Sequence, residues 1–460
     1  MENMNMAQET ASLRNAINEN VWLHFYQMDR AQNAEMAPIM ARGEGSKIWD
    51  TEGKEYIDAL AGLFCVNVGY GRREIAEAMM AQLEQIHYVS TFSFPNVPGT
   101  VLSDRLAKLM PTGPDSRVFF VSGGSEAVES ALKLAKSYHR RRGDNNRYKT
   151  ISRRTAYHGT TMGALAVNGL TPIRNEFGPL VPGARHVPPP YQYRCQFCAD
   201  QGACSLECAD EVERLIEFEG PETVAAVIME PVQNAGGAIT ASDAYYKKIR
   251  DLCDEHGILL IMDEVICGFG RLGSWFGADF YNVKPDIMTI AKGLTSAYAP
   301  LGAAVATAEV AEPFTGEGKD PFMHGITFGG HPVSCAAALA NLDIMERENL
   351  VQRSADMGAY FKNKLEDSIG NHQNVGDIRG AGLFLGVELV KDQDTKEPIT
   401  EENLVGWLSD ELLRRGVICR ADDRLEPVIQ LSPPLNIPQE DIDYIVDTVS
   451  DVLDEMKKRN

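Results

Sequence analysis

The chain has 460 residues, 44% of them hydrophobic and 24% charged, enough for a substantial core in one large or two moderate domains. A formal net charge of −21 argues against nucleic acid or an anionic membrane as the main partner. No apolar run reaches membrane-spanning length, and the opening "MENMNMAQETASLRNAINEN" lacks the basic-then-apolar pattern of a signal peptide. A cytoplasmic protein without a membrane partner is therefore expected.

In chain order, "GEGSKIWDTEGKEYIDALAG" carries a hairpin-like turn at residues 50–53. "SRVFFV" (116–121) reads as a buried strand, and "SEAVESALKLAKSYHRRR" after it has apolar positions at helical spacing. Between them lies Ser122-Gly123-Gly124-Ser125. Glycines let backbone approach an anion, and a helix N-terminus offers free N–H groups, so Gly124 and Ser125 are candidates for holding a phosphate. The plainer reading is that Ser125 caps the helix, with Glu129 in its first turns. A strand at 149–153 leads to Tyr157, which either stacks on a flat ring or fills core.

"YRCQFCADQGACSLEC" gathers Cys195, Cys198, Cys204 and Cys208 at the spacing C-x2-C-x5-C-x3-C. Three readings stand: a structural zinc site, disulfides, or reduced thiols. The other five cysteines are scattered among apolar neighbours and read as small core residues.

"VAAVIMEPV" (224–232) is another buried strand, and "AYYKKIRDLCDEHG" a helix stopped by Gly257. "ILLIMDEV" delivers Asp263 and Glu264 at its carboxyl end, and "PDIMTIAKG" delivers Lys292. This alternation predicts an α/β fold with a mostly parallel sheet covered by helices, and ligands beyond the strands' carboxyl ends. "GLFLGVELV" and "VIQLSPPL" read as strands, and "QEDIDYIVDTVSDVLDEMKKR" as a terminal amphipathic helix, together a smaller α+β domain. The expected division is 1–70 as an N-terminal segment of the small domain, 71–335 as the large domain and 336–460 as the C-terminal small domain.

A desolvated lysine is a nucleophile towards carbonyls, and a carboxylate on a pyridine nitrogen keeps that ring electron-withdrawing. Pyridoxal phosphate chemistry needs both, and Lys292 with Asp263 supplies them from consecutive strand-like segments. Gly293 reads as room for the lysine and its cofactor.

The segments "RGEGSKIWDTEGKEYIDALAGLFCVNVGYG", "SGGSEAVESALKL", "AYHGTTMGAL", "EPVQNAGG", "DEVICGFGRLG", "PDIMTIAKGL" and "HGITFGGHPVSCAAALA" together resemble class III pyridoxal-phosphate aminotransferases of the pyruvate-linked ω-transaminase type, nearly end to end. The resemblance implies fold-type I and a homodimer with the active site at the interface; whether dimers pair into tetramers stays open. It implies Lys292 as the Schiff-base lysine and proton carrier, Asp263 on the ring nitrogen, Val265 and Tyr157 on the two ring faces, and Gly124 and Ser125 on the phosphate. Thr327 would reach the neighbouring subunit's phosphate, and Glu230 would lie beside the cofactor. Phe64 and Phe92 would line the substrate pocket with Tyr157, and Arg420 would pair with the acceptor's carboxylate.

The implied reaction moves an amino group from an ω-amine or ω-amino acid (β-alanine, taurine, 4-aminobutyrate, a diamine or an aryl-alkyl amine) to pyruvate, through pyridoxamine phosphate. Two alternatives are an aminomutase or racemase on the same cofactor, which needs no separate oxo acid, and a non-enzymatic module built on the cysteines.

Overall fold

The structure is a computed structural model that describes residues 6–33, 37–198, 204–399, 404–422 and 424–457. Its centre is a seven-stranded sheet. Across it run Arg117–Val121, Gly302–Ala306, Ile287–Ile290, Leu259–Asp263, Val224–Met229, Lys149–Arg153 and Ala184–Val187. The last five pair in parallel, and only Gly302–Ala306 runs against its neighbours. Every residue of Val224–Met229, Leu259–Asp263 and Ile287–Ile290 is buried. Helices cover both faces, which is why these strands read as unbroken apolar runs rather than as alternation.

The helix Gly124–Arg141 turns Ala127, Val128, Ala131, Leu134, Ala135 and Tyr138 inward, three and four residues apart. In Asp243–His256 the Ser242 side chain accepts from Tyr245 N, and Gly257 ends the helix at φ 61, a left-handed conformation that glycine adopts without steric cost.

Two smaller sheets complete the fold. In one, Met40–Glu44, Lys47–Asp50 and Glu55–Asp58 form a meander whose last strand pairs in parallel with Val417–Ile418. In the other, Val375–Ala381, Phe384–Asp392, Val428–Leu431 and Arg420–Asp422 pair antiparallel in that order. The terminal helix Gln439–Lys457 buries Ile442, Ile445, Val446, Val449 and Leu453. Among the described residues no helix is long and apolar enough to cross a membrane.

The cysteine cluster departs from the zinc and disulfide expectations. Cys195, Cys198, Cys204 and Cys208 are free thiols, and among the described residues, which omit 199–203, no group of three or more His, Cys, Asp or Glu side chains is disposed to hold a metal. The thiols differ in their surroundings: hydrogen bonds from Ser205, Cys195 and Cys204 lower the Cys198 thiol, while burial raises Cys195. Cys208 packs into the main core from the helix Glu207–Glu219, and burial, with the neighbouring Cys204, Cys195 and Cys198, pushes its thiol up to about 12.

One buried cation ties the small sheets to the large one. Arg271 is fully buried; its guanidinium donates to the carbonyls of Leu383 (3.0 Å) and Pro433 and to Asn67 Oδ1 (2.8 Å). Desolvation lowers its pKa to about 10, so it is still charged at neutral pH. Arg271→Ala strands three buried acceptors and is expected to cost roughly 3 kcal/mol or more, read as a lower midpoint in denaturant unfolding.

Candidate active site

The site begins with strand register. Leu259–Asp263 and Ile287–Ile290 pair in parallel with Asp263 opposite Thr289, so both chains leave the sheet at the same edge. Two residues past Ile290, Lys292 sits at φ 43, a left-handed conformation that a non-glycine residue holds only under tertiary constraint. Asp263 and Lys292 thereby line one cavity of about 180 Å³, with Gly124, Ser125, Tyr157, His158, Gly159, Glu230 and Val265.

Both Asp263 oxygens are engaged. Oδ2 lies 2.7 Å from His158 Nδ1, while Oδ1 accepts from Thr289 Oγ1 (3.0 Å) and Val265 N (3.2 Å). His158 is buried, and among the described residues its Nε2 has no hydrogen-bond partner. The neighbouring acid does something else. Glu264 is fully buried on the opposite side and accepts from Gly277 N (2.9 Å) and Ala278 N (2.7 Å), satisfying the start of a short helix. Of the two carboxylates in "DEV", one faces the cavity and one is structural.

Lys292 Nζ donates to the carbonyl of Leu63 at 2.8 Å and lies 5.3 Å from the Phe64 ring centroid. Burial lowers its pKa; Cys65 and Asp263 partly oppose this, and Arg420 adds to it. An amine so disposed gives up its proton readily and is a competent nucleophile.

The opposite end of the cavity is backbone. The helix cap is Gly123, whose backbone is extended and offers no side-chain capping bond, so Ser125 is not the cap that one sequence reading made it. Glu126 reaches back to Ser122 N (2.7 Å), and Glu129 serves a different helix, accepting from Ala164 N (3.0 Å). Ser125 Oγ accepts from Thr160 N at 3.1 Å. A Cβ on Gly124 would stand 2.9 Å from Val265 Cγ1, and one on Gly159 (φ 112) would stand 2.4 Å from Ser125 Oγ. Side chains there would fill this cradle, which as built presents a helix N-terminus suited to an anion.

Glu230 is buried; Asn234 N (3.1 Å) and Tyr157 N (3.4 Å) donate to its two oxygens. Burial raises its pKa, with Arg153 and His158 opposing. Arg153, itself fully buried, donates to the Glu230 carbonyl, and Tyr246 donates to the same oxygen at 2.8 Å.

The remaining expected residues are dispersed. Phe64 is turned into the core, 1% exposed and edge-on to Phe384, and Leu63 takes the place in the cavity wall. Phe92 is 67% exposed and packs over Gly325; Thr327 is exposed on the same surface, with Tyr88 donating to its carbonyl at 2.8 Å. Arg420 stands on the strand Arg420–Asp422 opposite Gln430, and its charge reaches Lys292 and Tyr157. Gly293 is small for another reason than the one expected: a Cβ there would be 2.5 Å from Asn67 Nδ2 and 3.0 Å from Phe269 Cβ. Sequence reasoning passed over His158, although it directly follows Tyr157 in "AYHGTT", and Leu63, beside the aromatic it favoured.

A lysine of lowered pKa, an anchored acid one strand away and a glycine-lined helix N-terminus within one cavity define a pyridoxal-phosphate enzyme. Comparison with known proteins supports this: the aminotransferase class-III family model matches residues 28–453. A probable aminotransferase, Rv3329, of Mycobacterium tuberculosis is 46% identical over 97% of this chain and 96% of its own. The taurine–pyruvate aminotransferase of Bilophila wadsworthia is 38% identical over 96% of both. Among solved structures, an (S)-enantioselective ω-transaminase from Thermomicrobium roseum superposes with TM-score 0.91 at 40% identity, covering 99% of this chain and all of that one. An amine transaminase from an uncultivated Pseudomonas species, in its PLP-bound form, superposes with TM-score 0.89 at 35% identity over 95% of this chain and 99% of its own. The chain belongs to the class III aminotransferase family and is a pyridoxal-phosphate-dependent transaminase.

Glu264 gives a testable pH signature. Burial raises its carboxyl to about 8 in the folded protein, against 4.5 ordinarily. The native state therefore holds the extra proton, so this contribution to stability is full below about 4.5 and is lost as pH rises to about 8. Glu264→Gln is expected to flatten the decline in that window, measured as denaturant midpoints at stepped pH.

Proposed function

We propose that this enzyme moves an amino group from an ω-amine or ω-amino acid to pyruvate. The observation that carries the reading is the meeting of Asp263 and Lys292 in one cavity, with His158 behind the acid. When bound, pyridoxal phosphate supplies the electron sink for breaking the bond at the amine carbon. The residues fit that group: the cradle of Gly124, Ser125 and Gly159 matches its phosphate, and Asp263 its ring nitrogen.

This chain's own contributions then follow. Asp263 would meet the ring nitrogen and keep it protonated, and His158 and Thr289 hold Asp263 in position. Val265 and Tyr157 would bound the two ring faces. Lys292 would hold the cofactor through its Nζ, and the same Nζ would take the proton from the donor's amine-bearing carbon and return one to the acceptor. Glu230 braces Tyr157 through the backbone. Arg420 pairs with the acceptor's carboxylate, and Leu63 takes the place assigned to Phe64 as a boundary of the substrate space.

The active unit is a homodimer in this reading. Phe92, Phe94, Val97, Met323 and Phe328 are 59–86% exposed, a concentration of large apolar side chains that a second copy would cover. Thr327 and Phe92 lie on that face and so act across the interface.

A screen of amine donors with pyruvate, monitored as alanine formed, is expected to find turnover that requires the oxo acid; turnover without it would indicate a mutase or racemase. Lys292→Ala should lose the visible absorbance of the bound cofactor and about a thousandfold or more of the rate. Normal transamination by that variant would overturn the reading. Phe94→Asp with Val97→Asp is expected to shift sedimentation to the monomer and to lower activity in parallel.

A further inference from the structure

Thr327 stands in a segment, 321–330, that lies outside every helix and strand and also carries the exposed Met323 and Phe328. Such a segment is fixed by its ties to neighbouring parts of the chain. At its far end Tyr88 Oη donates to the Thr327 carbonyl at 2.8 Å, and Asn96 Nδ2 to that of Gly330 at 2.9 Å. At its near end the tie is His324.

The His324 ring stacks on Phe119 (centroids 5.3 Å apart, planes at 15°) and meets Phe322 edge-on at 5.5 Å. Both of its nitrogens reach the helix Gly124–Arg141. Nε2 lies 3.0 Å from Ser130 Oγ, and Nδ1 lies 3.4 Å from Lys133 Nζ. An ammonium can only donate, so Nδ1 accepts. Ser130 is fully buried and its hydroxyl donates to the Glu126 carbonyl at 2.7 Å, so Nε2 carries the ring's proton. The two partners together dictate one neutral tautomer. A second proton, on Nδ1, would set an imidazolium N–H against an ammonium and break that contact.

The charges that face the ring come from this helix. Lys133 acts with burial to hold the imidazole below its ordinary 6.5, and Glu129 and then Glu126 oppose it; the strand Arg117–Val121 and Phe322 present phenyl rings. The released ring therefore binds its proton more readily than the held one. The attachment is at full strength above about 6.5 and weakens as pH falls below it. The same helix begins at the phosphate cradle of Gly124 and Ser125. His324 thus joins the element that cradles one phosphate to the segment that bears Thr327.

We propose that His324 is a positioning residue of the transaminase: neutral, it fixes segment 321–330 so that Thr327 serves the phosphate of the neighbouring subunit, and protonated, it lets that segment go. This inference rests on the homodimer reading of Thr327 above.

The test follows loss of pyridoxal phosphate from the holoenzyme, as decay of its visible absorbance after transfer to cofactor-free buffer, at steps from about pH 8 to about pH 5.5. It compares the wild type with His324→Gln, Lys133→Gln and Thr327→Val. His324→Gln keeps a donor and an acceptor but cannot take up a proton, and Lys133→Gln can meet Nδ1 with either an N–H or a carbonyl. The wild-type rate divided by that of His324→Gln is expected to stay near one at pH 8. Below about pH 6.5 it should rise, by at most about tenfold per pH unit, the limit for a single proton. Lys133→Gln should show a flattened rise, and it decides the matter if His324→Gln does not fold. Parallel profiles for the wild type and His324→Gln would overturn the proposal, as would a full rise retained in Lys133→Gln. Thr327→Val separates the parent reading: it should lose cofactor faster at every pH. If it does not, the reading of Thr327 fails and the proposal falls with it. If it does while the other profiles stay parallel, His324 alone was misread.

Discussion

The site depends on one register. Asp263 faces Thr289 across a parallel strand pair, and the two chains leave the sheet side by side. A parallel pair delivers both chains in one direction, so an acid at one exit and an amine at the next open onto the same crevice. A one-residue slip would turn Asp263 into the position of Glu264, against the helix on the far side. The buried apolar residues of these strands, Ile261, Met262, Ile287 and Met288 among them, hold that register and with it the chemistry.

Electrostatics within the crevice follows from how each charge is supported. Asp263 accepts from a threonine and a backbone amide and meets His158 Nδ1, so both of its buried oxygens have hydrogen-bond partners in place of water. Lys292 is desolvated by burial, which disfavours its ammonium although a carbonyl and an aromatic face stand beside it.

Much of this was legible in the sequence. The strands and helices of the large sheet announced themselves because burial on both faces leaves continuous apolar runs, and because Gly257 marked a helix end. Asp263 and Lys292 were legible as a pair because pyridoxal chemistry demands an acid and an amine together. What failed was side-chain direction in irregular backbone. Ala61, Gly62 and Phe64 all have positive φ, so no helical or strand period tells which of Leu63 and Phe64 meets the cavity. Gly123 rather than Ser125 begins the helix because an extended glycine occupies the cap. The thiol cluster offered ligand types but not their burial. Gly293 read as room for the lysine and its cofactor, but the atoms that crowd it belong to Asn67 and Phe269, residues far away in sequence.

The sheet that joins the two ends of the chain sets an order of events during synthesis. Glu55–Asp58 is made early, yet its parallel partner Val417–Ile418 lies some 360 residues later. At ribosomal speeds of about 5–20 residues per second, roughly 20–70 s separate the two. Within that interval all the strands of the large sheet are made, the last ending at Ala306, while the N-terminal meander presents an unpaired edge. Completion of the small sheets is therefore a late, long-range closure, the slowest kind of contact to make. The nascent chain is most exposed to wrong pairing at its beginning, the segment synthesised first and secured last.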